Sequence, residues 1–321
     1  MPLHIIHGDI TRVAADAIVN AANTGLQRGG GVCGAIYSAA GADRLQAACR
    51  AIGSIQTGEA VITPGFDLPA RFIIHTAGPI WQGGSQNEEN LLEKCYQNSL
   101  ELARQHELKS IAFPLISAGI YGYPKDQALD VAVRTIRWFL QNHEISVSLV
   151  FYDRTAFVLP ESRLQPIRQY LSAQLIEKLN QPSELLIIAE SEHRLETAER
   201  NLADLVARLD ESFSQMLFRL IDQKGRSDVE VYKRANLDRR LFSKIRSDIS
   251  YKPAKSTALA LAIALELSLD EVRDLLGRAG FALSRSNISD VVIQYFIAQG
   301  NYNIFEINEA LFAFAQPTLG G

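Results

Sequence analysis

The sequence predicts an α/β domain, its sheet covered by helices on both faces, followed by a smaller all-α domain. Three observations carry this. Short apolar runs alternate with helical patterns through the first half of the chain, the mark of a sheet built from strand–helix units. Polar and glycine residues cluster just after the runs. Beyond about residue 180 the strand signals stop, and charged, helical patterns follow.

In chain order, the strand candidates are His4–His7, Ala17–Asn20, Ala60–Thr63, Phe72–Thr76, Ser110–Pro114 and Val147–Tyr152, all short and rich in Ile, Val and Phe. Between and after them lie helix candidates at Gly34–Ala40, Arg44–Ala51, Glu89–Gln105, Lys125–Asn142 and Glu161–Leu179. Gly8-Asp9 follows the first strand, Asn20 to Asn23 close the second, and Ser117 to Gly122 follow the fifth. Ligands of such sheets sit outside the carboxyl ends of the strands, so one cleft collects all three clusters. NQPSE (Asn180–Glu184) reads as a break, and Leu185–Ala189 is too short to assign to strand or helix. Glu190 to Ile221 is charged and helical; Ser227 to Arg278 reads as several short helices, and Ile288–Gln299 and Ile304–Phe314 as two more.

The length of 321 residues fits two domains. No apolar run is long enough to span a membrane, and MPLHIIHGDI lacks the basic and apolar regions of a signal peptide, so a cytoplasmic protein with no membrane partner is expected. Cys33, Cys49 and Cys95 show no metal-ligand spacing. Neither a metal nor a cofactor is indicated. A net charge of −4 argues against a surface that binds polyanions everywhere, but leaves room for a local basic patch.

The stretch NAANTGLQRGGGVCGAIYSAAG (residues 20–41) holds three consecutive glycines, each costly in conformational entropy. Gly29, Gly30 and Gly31 let a ligand reach the main chain, and a helix starting nearby offers unpaired N–H groups to an anion. A ligand-free loop is the alternative. Asp9 in GDIT reads either as an acceptor for a base or sugar or as a turn and N-cap residue. In PLISAGIYGYP (Pro114–Pro124) the successive amides offer an anion nest, and tyrosines are interleaved to cover a sugar. Two such loops on one sheet edge favour a ligand of diphosphate size.

GDIT, IVNAAN, GGGVCGAI, HTAGPIW and FPLISAGIYGYP together resemble the macrodomain family, in the branch of the MacroD-type ADP-ribosyl hydrolases (the Appr-1-p processing family), over residues 1 to about 175. The resemblance implies a three-layer α/β/α fold with a mixed sheet that binds ADP-ribose or an ADP-ribosylated protein. It implies that Asp9 bonds the adenine amino group, Ile10 meets the adenine edge through its backbone, and Tyr152 lies against the ring. The amides of Gly29, Gly30, Gly31 and Val32 and of Ser117, Ala118, Gly119, Ile120 and Tyr121 hold the diphosphate. Asn20 joins the ligand-binding set, and Asn23 orients the distal ribose. Asn23 and Cys33 are then the catalytic candidates. Hydrolytic members usually carry aspartate where this chain has Cys33, and often histidine where it has Tyr37. Cys33 is open to three readings: a small apolar filler, a bystander in a hydrolase that relies on Asn23 and ordered water, or an activated nucleophile. His75 reads as a satisfied core residue.

VEVYKRANLDRRLFSKIRSD (Val229–Asp248) and the helices after it resemble the lambda-repressor-like helix-turn-helix family over about fifty residues. That resemblance places Arg239–Ser247 in a major groove, with Arg239, Arg240 and Lys244 as nucleic-acid candidates. Residues 226–255 hold nine Lys and Arg against four Asp and Glu. DNA and a protein partner fit this count equally well. The expected division is a macrodomain at 1–180, a helical linker at 181–225 and the all-α domain at 226–321. The expected function is hydrolysis of ADP-ribosyl esters, on mono-ADP-ribosylated protein or O-acyl-ADP-ribose. A reader without turnover and a ligand-responsive regulator are the alternatives.

Overall fold

The computed structural model describes residues 2–153, 157, 159–180 and 211–320. Leu185–Ala189, most of NQPSE and residues 190–210 lie outside them. Two compact units emerge: Met1–Pro160 with Asn236–Asp238 and Asn308–Gly321, and Glu161–Ala235 with Arg239–Ile307.

Six strands form the sheet of the first unit: β1 (Leu3–His7), β2 (Ala17–Ala22), β3 (Ala60–Pro64), β4 (Phe72–Ala77), β5 (Ser110–Phe113) and β6 (Ser146–Phe151). Their spatial order is β1-β6-β5-β2-β4-β3, all parallel except the β3–β4 pair, so the sheet is mixed. Four helices cover it: α1 (Gly31–Ala40), α2 (Ala42–Ile52), α3 (Glu88–Gln105) and α4 (Lys125–Asn142). Side chains alternate across a strand, and both faces are apolar. Ile18 and Ile73 share a buried cluster with Ile36, Tyr37, Leu45 and Cys49 of α1 and α2. On strand β5, Phe113 packs its ring 5.2 Å from that of Tyr96 on α3. The three-layer α/β/α arrangement follows.

Every expected strand and helix of this unit is present, with ends moved by at most three residues and Lys125–Asn142 unchanged. The largest shift is at α1, which starts at Gly31 and not at Gly34. Glycine is a poor helix interior residue, but Gly31 sits at φ +59°, a turn conformation that costs a glycine little. Gly34 is required for another reason: a Cβ there would lie 2.7 Å from the Gly29 carbonyl oxygen.

The second unit is helical throughout its described residues: α5 (Glu161–Asn180), α6 (Phe213–Gln223), α7 (Asp228–Arg234), α8 (Arg239–Ser247), α9 (Lys255–Ala264), α10 (Leu269–Arg278) and α11 (Ile288–Ala298), with α12 (Ile304–Ala313) running on into the first unit's C-terminal segment. Ser212, Ser227 and Ser268 cap α6, α7 and α10, each accepting a hydrogen bond from an N–H in the first turn. Thr257 to Ala264 are all buried, so α9 is apolar all round and forms the centre of the bundle. Its first residue, Lys255, holds the buried Asp290 of α11 at 2.6 Å. No described helix is long and apolar enough to cross a membrane.

Candidate functional site

A cavity of about 790 Å³ opens at the carboxyl ends of β1, β2, β5 and β6, within the size range of small-molecule sites. The sheet order strings its walls along a cleft. Gly8–Ile10 and Val150–Asp153 line the β1–β6 end, Pro114–Tyr121 the middle, and Ala21–Asn23, Cys33 and Gly78 the β2 end. Gly29, Gly30, Gly31 and Val32 face the middle loop across the cavity. The two loops approach closely: a Cβ on Gly30 would lie 3.1 Å from Ile120 Cδ1.

Asp9, Ile10, Asn23, Gly29, Gly30, Gly31, Val32, Cys33, Ser117, Ala118, Gly119, Ile120, Tyr121 and Tyr152 all line this cavity. Asp9 takes the N-cap role, one of its two sequence readings. Its Oδ1 accepts from Thr11 N at 2.9 Å and Thr11 Oγ1 at 2.8 Å, capping a 3-10 turn at Ile10–Arg12. Its Oδ2 lies 3.9 Å from Arg12 Nε. Tyr152 is 81% exposed at the same end and offers an open ring face.

At the β2 end the two catalytic candidates share one carbonyl. Asn23 Nδ2 donates to Gln27 O at 2.8 Å and Asn23 Oδ1 accepts from Gln27 N at 3.1 Å. One carboxamide N–H is left to donate elsewhere. The Cys33 thiol also points to Gln27 O, at 3.8 Å, and is buried. The carboxylates lining the cavity are Asp9 and Asp153, both at the opposite end.

Asn20 does not line the cavity. It is fully buried behind Cys33, with Nδ2 at 3.7 Å from Cys33 Sγ and 3.0 Å from His75 Nδ1. His75 Nε2 meets Thr63 Oγ1 at 2.9 Å. Burial depresses the His75 imidazole to about 4, so it is neutral at pH 7. Tyr37 does not line the cavity and is buried, its hydroxyl donating to Leu26 O at 2.7 Å. Burial first, then the contact with Cys49, pushes its ionisation well above the usual phenol range. Burial likewise raises the Cys49 thiol. Among the described residues no cluster of three or more His, Cys, Asp and Glu is arranged to hold a metal.

Sequence reasoning missed Gln27, whose backbone N–H and carbonyl hold the Asn23 carboxamide, and Lys125, which lines the cavity. For Lys125 the signal was a basic residue directly after the glycine-tyrosine loop.

In the helical unit, Arg239, Arg240 and Lys244 are exposed along α8, whose buried side carries Phe242 and Ile245. Much of the basic excess around them is spent on internal ion pairs. Arg226 binds Glu230 and Glu266, Arg234 binds Glu266, Arg246 binds Asp228, and Lys255 binds Asp290.

A mixed sheet between helical layers, with two glycine-rich loops meeting over a cleft, defines an α/β/α domain with a small-molecule-sized cavity at its strand ends. The family model described as Macro domain matches residues 19–132. A macro domain-containing protein of Ralstonia nicotianae is 59% identical over 135 residues, covering 42% of this chain and 78% of its own. The O-acetyl-ADP-ribose deacetylase of Salmonella typhimurium is 52% identical over 157 residues, covering 47% of this chain and 87% of its own. A solved macrodomain of Oceanobacillus iheyensis with ADP is 43% identical at a TM-score of 0.47, covering 52% of this chain and 92% of that one. The chain belongs to the macro domain family.

Proposed function

We propose that the first unit binds ADP-ribose in the cleft and hydrolyses ADP-ribosyl esters, with O-acyl-ADP-ribose as the substrate class favoured by the deacetylase relative. The observation that carries the reading is the placement of Asn23 and Cys33 on one carbonyl at the far end of a cleft whose other end holds Asp9 and Tyr152. The adenine amino group donates to Asp9, the ring lies on Tyr152, and the loop amides take the diphosphate. The distal ribose then reaches Asn23.

Hydrolysis there needs water to add to the acyl carbon, the bond between that carbon and the ribose oxygen to break, and the ribose oxygen to take up a proton as the carboxylate leaves. Asn23 is preorganised for this, because its carboxamide is fixed twice on Gln27 and aims its remaining N–H without further ordering. Cys33 supplies no carboxylate to activate water. It is buried, with its Sγ directed at the Gln27 carbonyl oxygen at 3.8 Å.

Among the described residues the carboxylates lining the cavity lie at its other end, which supports a second reading, a reader that binds ADP-ribose without turnover. Calorimetric titration with ADP-ribose, run beside a turnover assay on O-acetyl-ADP-ribose and on a glutamate-ADP-ribosylated protein, separates the two. Binding with turnover supports the hydrolase, binding alone supports the reader, and no binding removes both.

For the helical unit, which resembles helix-turn-helix domains, we propose a contact surface for a phosphate backbone on α8. The exposure of Arg239, Arg240 and Lys244 on one short helix supports it. An acidic protein partner is the competing occupant. The proposed division of the chain keeps the ADP-ribose site within residues 1–180 and this surface within 226–321.

A further inference from the structure

Glu88 opens helix α3, where an acidic residue suits the helix dipole. The dipole does not require burial, yet Glu88 is only 1% exposed. Its side chain turns back on the loop between β4 and α3: Oε1 accepts from Gln82 N at 3.0 Å and Gly84 N at 3.1 Å, and Oε2 from Gln86 N at 2.5 Å. Three N–H groups of one short loop converge on one carboxylate. That loop needs an anchor, because Gly83, Gly84 and Asn87 all stand at positive φ, and a Cβ on Gly84 would lie 3.0 Å from the Trp81 ring.

The loop gathered in this way supports a wall of the cleft. Trp81 N donates to Tyr121 O at 2.9 Å, and the Trp81 ring lies 4.5 Å from the Tyr123 ring. Gly78, at the start of the same loop, has no room for a side chain, since a Cβ there would lie 2.2 Å from Ser117 Oγ. The loop thus meets the cleft wall at Ser117, Tyr121 and Tyr123. That wall depends on support, because Ser117 is a non-glycine residue at φ +63°, a conformation that persists only where its surroundings impose it. Within the wall itself, Tyr123 N donates to Ser117 O at 3.1 Å and Gly122 N to Gly119 O at 3.0 Å. Ser117 to Tyr121 line the cavity, whereas Glu88 does not.

We propose that Glu88 is a positioning residue for the cleft, which acts through Trp81 to hold the amides of Ser117 to Tyr121 in the arrangement that receives the ligand's diphosphate. The proposal rests on the ADP-ribose reading of the cleft. Glu88 touches no ligand in it. Its contribution is to order the amide loop in advance, so that binding does not carry that cost.

The test uses the full chain carrying Trp138→Phe, which removes the exposed tryptophan of α4 and leaves Trp81 as the sole tryptophan. In this parent, Glu88→Gln sets an amide NH2 against the loop N–H groups. ADP-ribose affinity, read by calorimetry, should fall about five- to tenfold, the scale of a loop-ordering cost, and Trp81 emission should shift to the red as its ring leaves Tyr123. Saturating ADP-ribose should reverse the shift, because ligand and carboxylate order the same loop. Trp81→Leu should lower affinity to a similar extent, and Glu88→Gln combined with Trp81→Leu should bind no more weakly than either alone, since both effects pass through one residue. Ser99→Ala, which removes a buried hydrogen bond to Cys95 O elsewhere on α3, should lower stability with affinity and emission unchanged. Unchanged affinity in Glu88→Gln, additive losses in the double variant, or a matching loss in Ser99→Ala overturns the proposal while ADP-ribose binding by the parent stands. Should Glu88→Gln fail to fold, Gly84→Ala, which crowds the Trp81 ring at a positive φ, must give the same red shift and affinity loss, or the proposal falls. A parent chain that does not bind ADP-ribose removes the reading of the cleft first and the proposal with it.

Discussion

Asn20 Nδ2 lies 3.0 Å from His75 Nδ1, two residues directly paired across the parallel strands β2 and β4. An amide nitrogen only donates, so His75 Nδ1 is the acceptor and the ring proton sits on Nε2, facing Thr63 Oγ1 at 2.9 Å. Protonation would set one donor against another in a fully buried site. Burial holds this histidine at about 4, below its unfolded value of about 6.5. The unfolded chain therefore binds the extra proton first, and stability falls as pH drops from about 6.5 towards 4. His4, also lowered by burial, acts in the same direction. Denaturant unfolding between pH 7 and 4 should show this loss, and His75→Phe should be less stable at pH 7 but show a shallower decline. An equally steep decline in that variant would assign the pH dependence to other groups.

This pairing also shows why part of the site was illegible in the sequence. The strands were readable from short apolar runs ending in turn residues, and the glycine loops from their cost. Asn20 and Asn23 stand in one motif, yet only Asn23 reaches the cleft. Asn20 lies inside the strand, where side-chain alternation and a neighbour 55 residues away decide its direction. Nothing local reports that neighbour. The turning of Tyr37 towards Leu26 and Cys49 was hidden for the same reason. The start of α1 is hard to place from sequence because propensity speaks against glycine, whereas the loop geometry requires it.

Asp9 offers a clean separation of fold from binding. Its Oδ1 is occupied by Thr11, leaving Oδ2 for a ligand. Asp9→Asn can keep the cap through its carbonyl oxygen but presents an amide donor to the adenine amino group. Both Asp9→Asn and Asp9→Ala should weaken ADP-ribose binding by about 1–3 kcal/mol, and only the alanine variant should also lose about 1 kcal/mol of stability with the cap. Calorimetry and thermal melts on the two variants read these effects independently. Unchanged binding by Asp9→Asn would remove the acceptor role.

Gly34→Ala tests how the glycine loop is held. The new methyl would meet the Gly29 carbonyl at 2.7 Å, and backbone must shift to relieve it, at a cost of about 1–3 kcal/mol. The displaced segment carries the amides proposed for the diphosphate. A drop in both melting temperature and ADP-ribose affinity is expected. If affinity holds while stability falls, those amides do not bind the ligand.

The shared contact of Asn23 and Cys33 with Gln27 O makes a prediction about turnover. Asn23 carries the donor that is aimed, so Asn23→Ala should lower kcat on O-acetyl-ADP-ribose by about 100-fold, in the range for removing one preorganised donor. Cys33→Ala should keep most activity. Cys33→Asp supplies a carboxylate at the Asn23 end and should raise kcat. A dead Cys33→Ala enzyme that still binds ADP-ribose would instead make the thiol a chemical participant.

The remaining prediction concerns α8. Four of the basic residues around it are bound in ion pairs within the helical unit, so the charge that counts for a partner is smaller than the composition suggests. Arg239, Arg240 and Lys244 lie on the solvent side, opposite Phe242 and Ile245, and replacing all three by alanine should leave the fold intact. Removing one cationic side chain from a phosphate should lower the salt slope of duplex binding by about 0.9. The full chain should therefore bind duplex DNA with an affinity that falls steeply with salt, and the triple variant should bind weakly and with a flatter slope. Circular dichroism of the variant checks the fold. If the wild-type chain ignores duplex DNA at low salt but holds an acidic protein partner that the triple substitution releases, α8 is an adaptor surface. It would then carry the macro domain to its target through protein contacts.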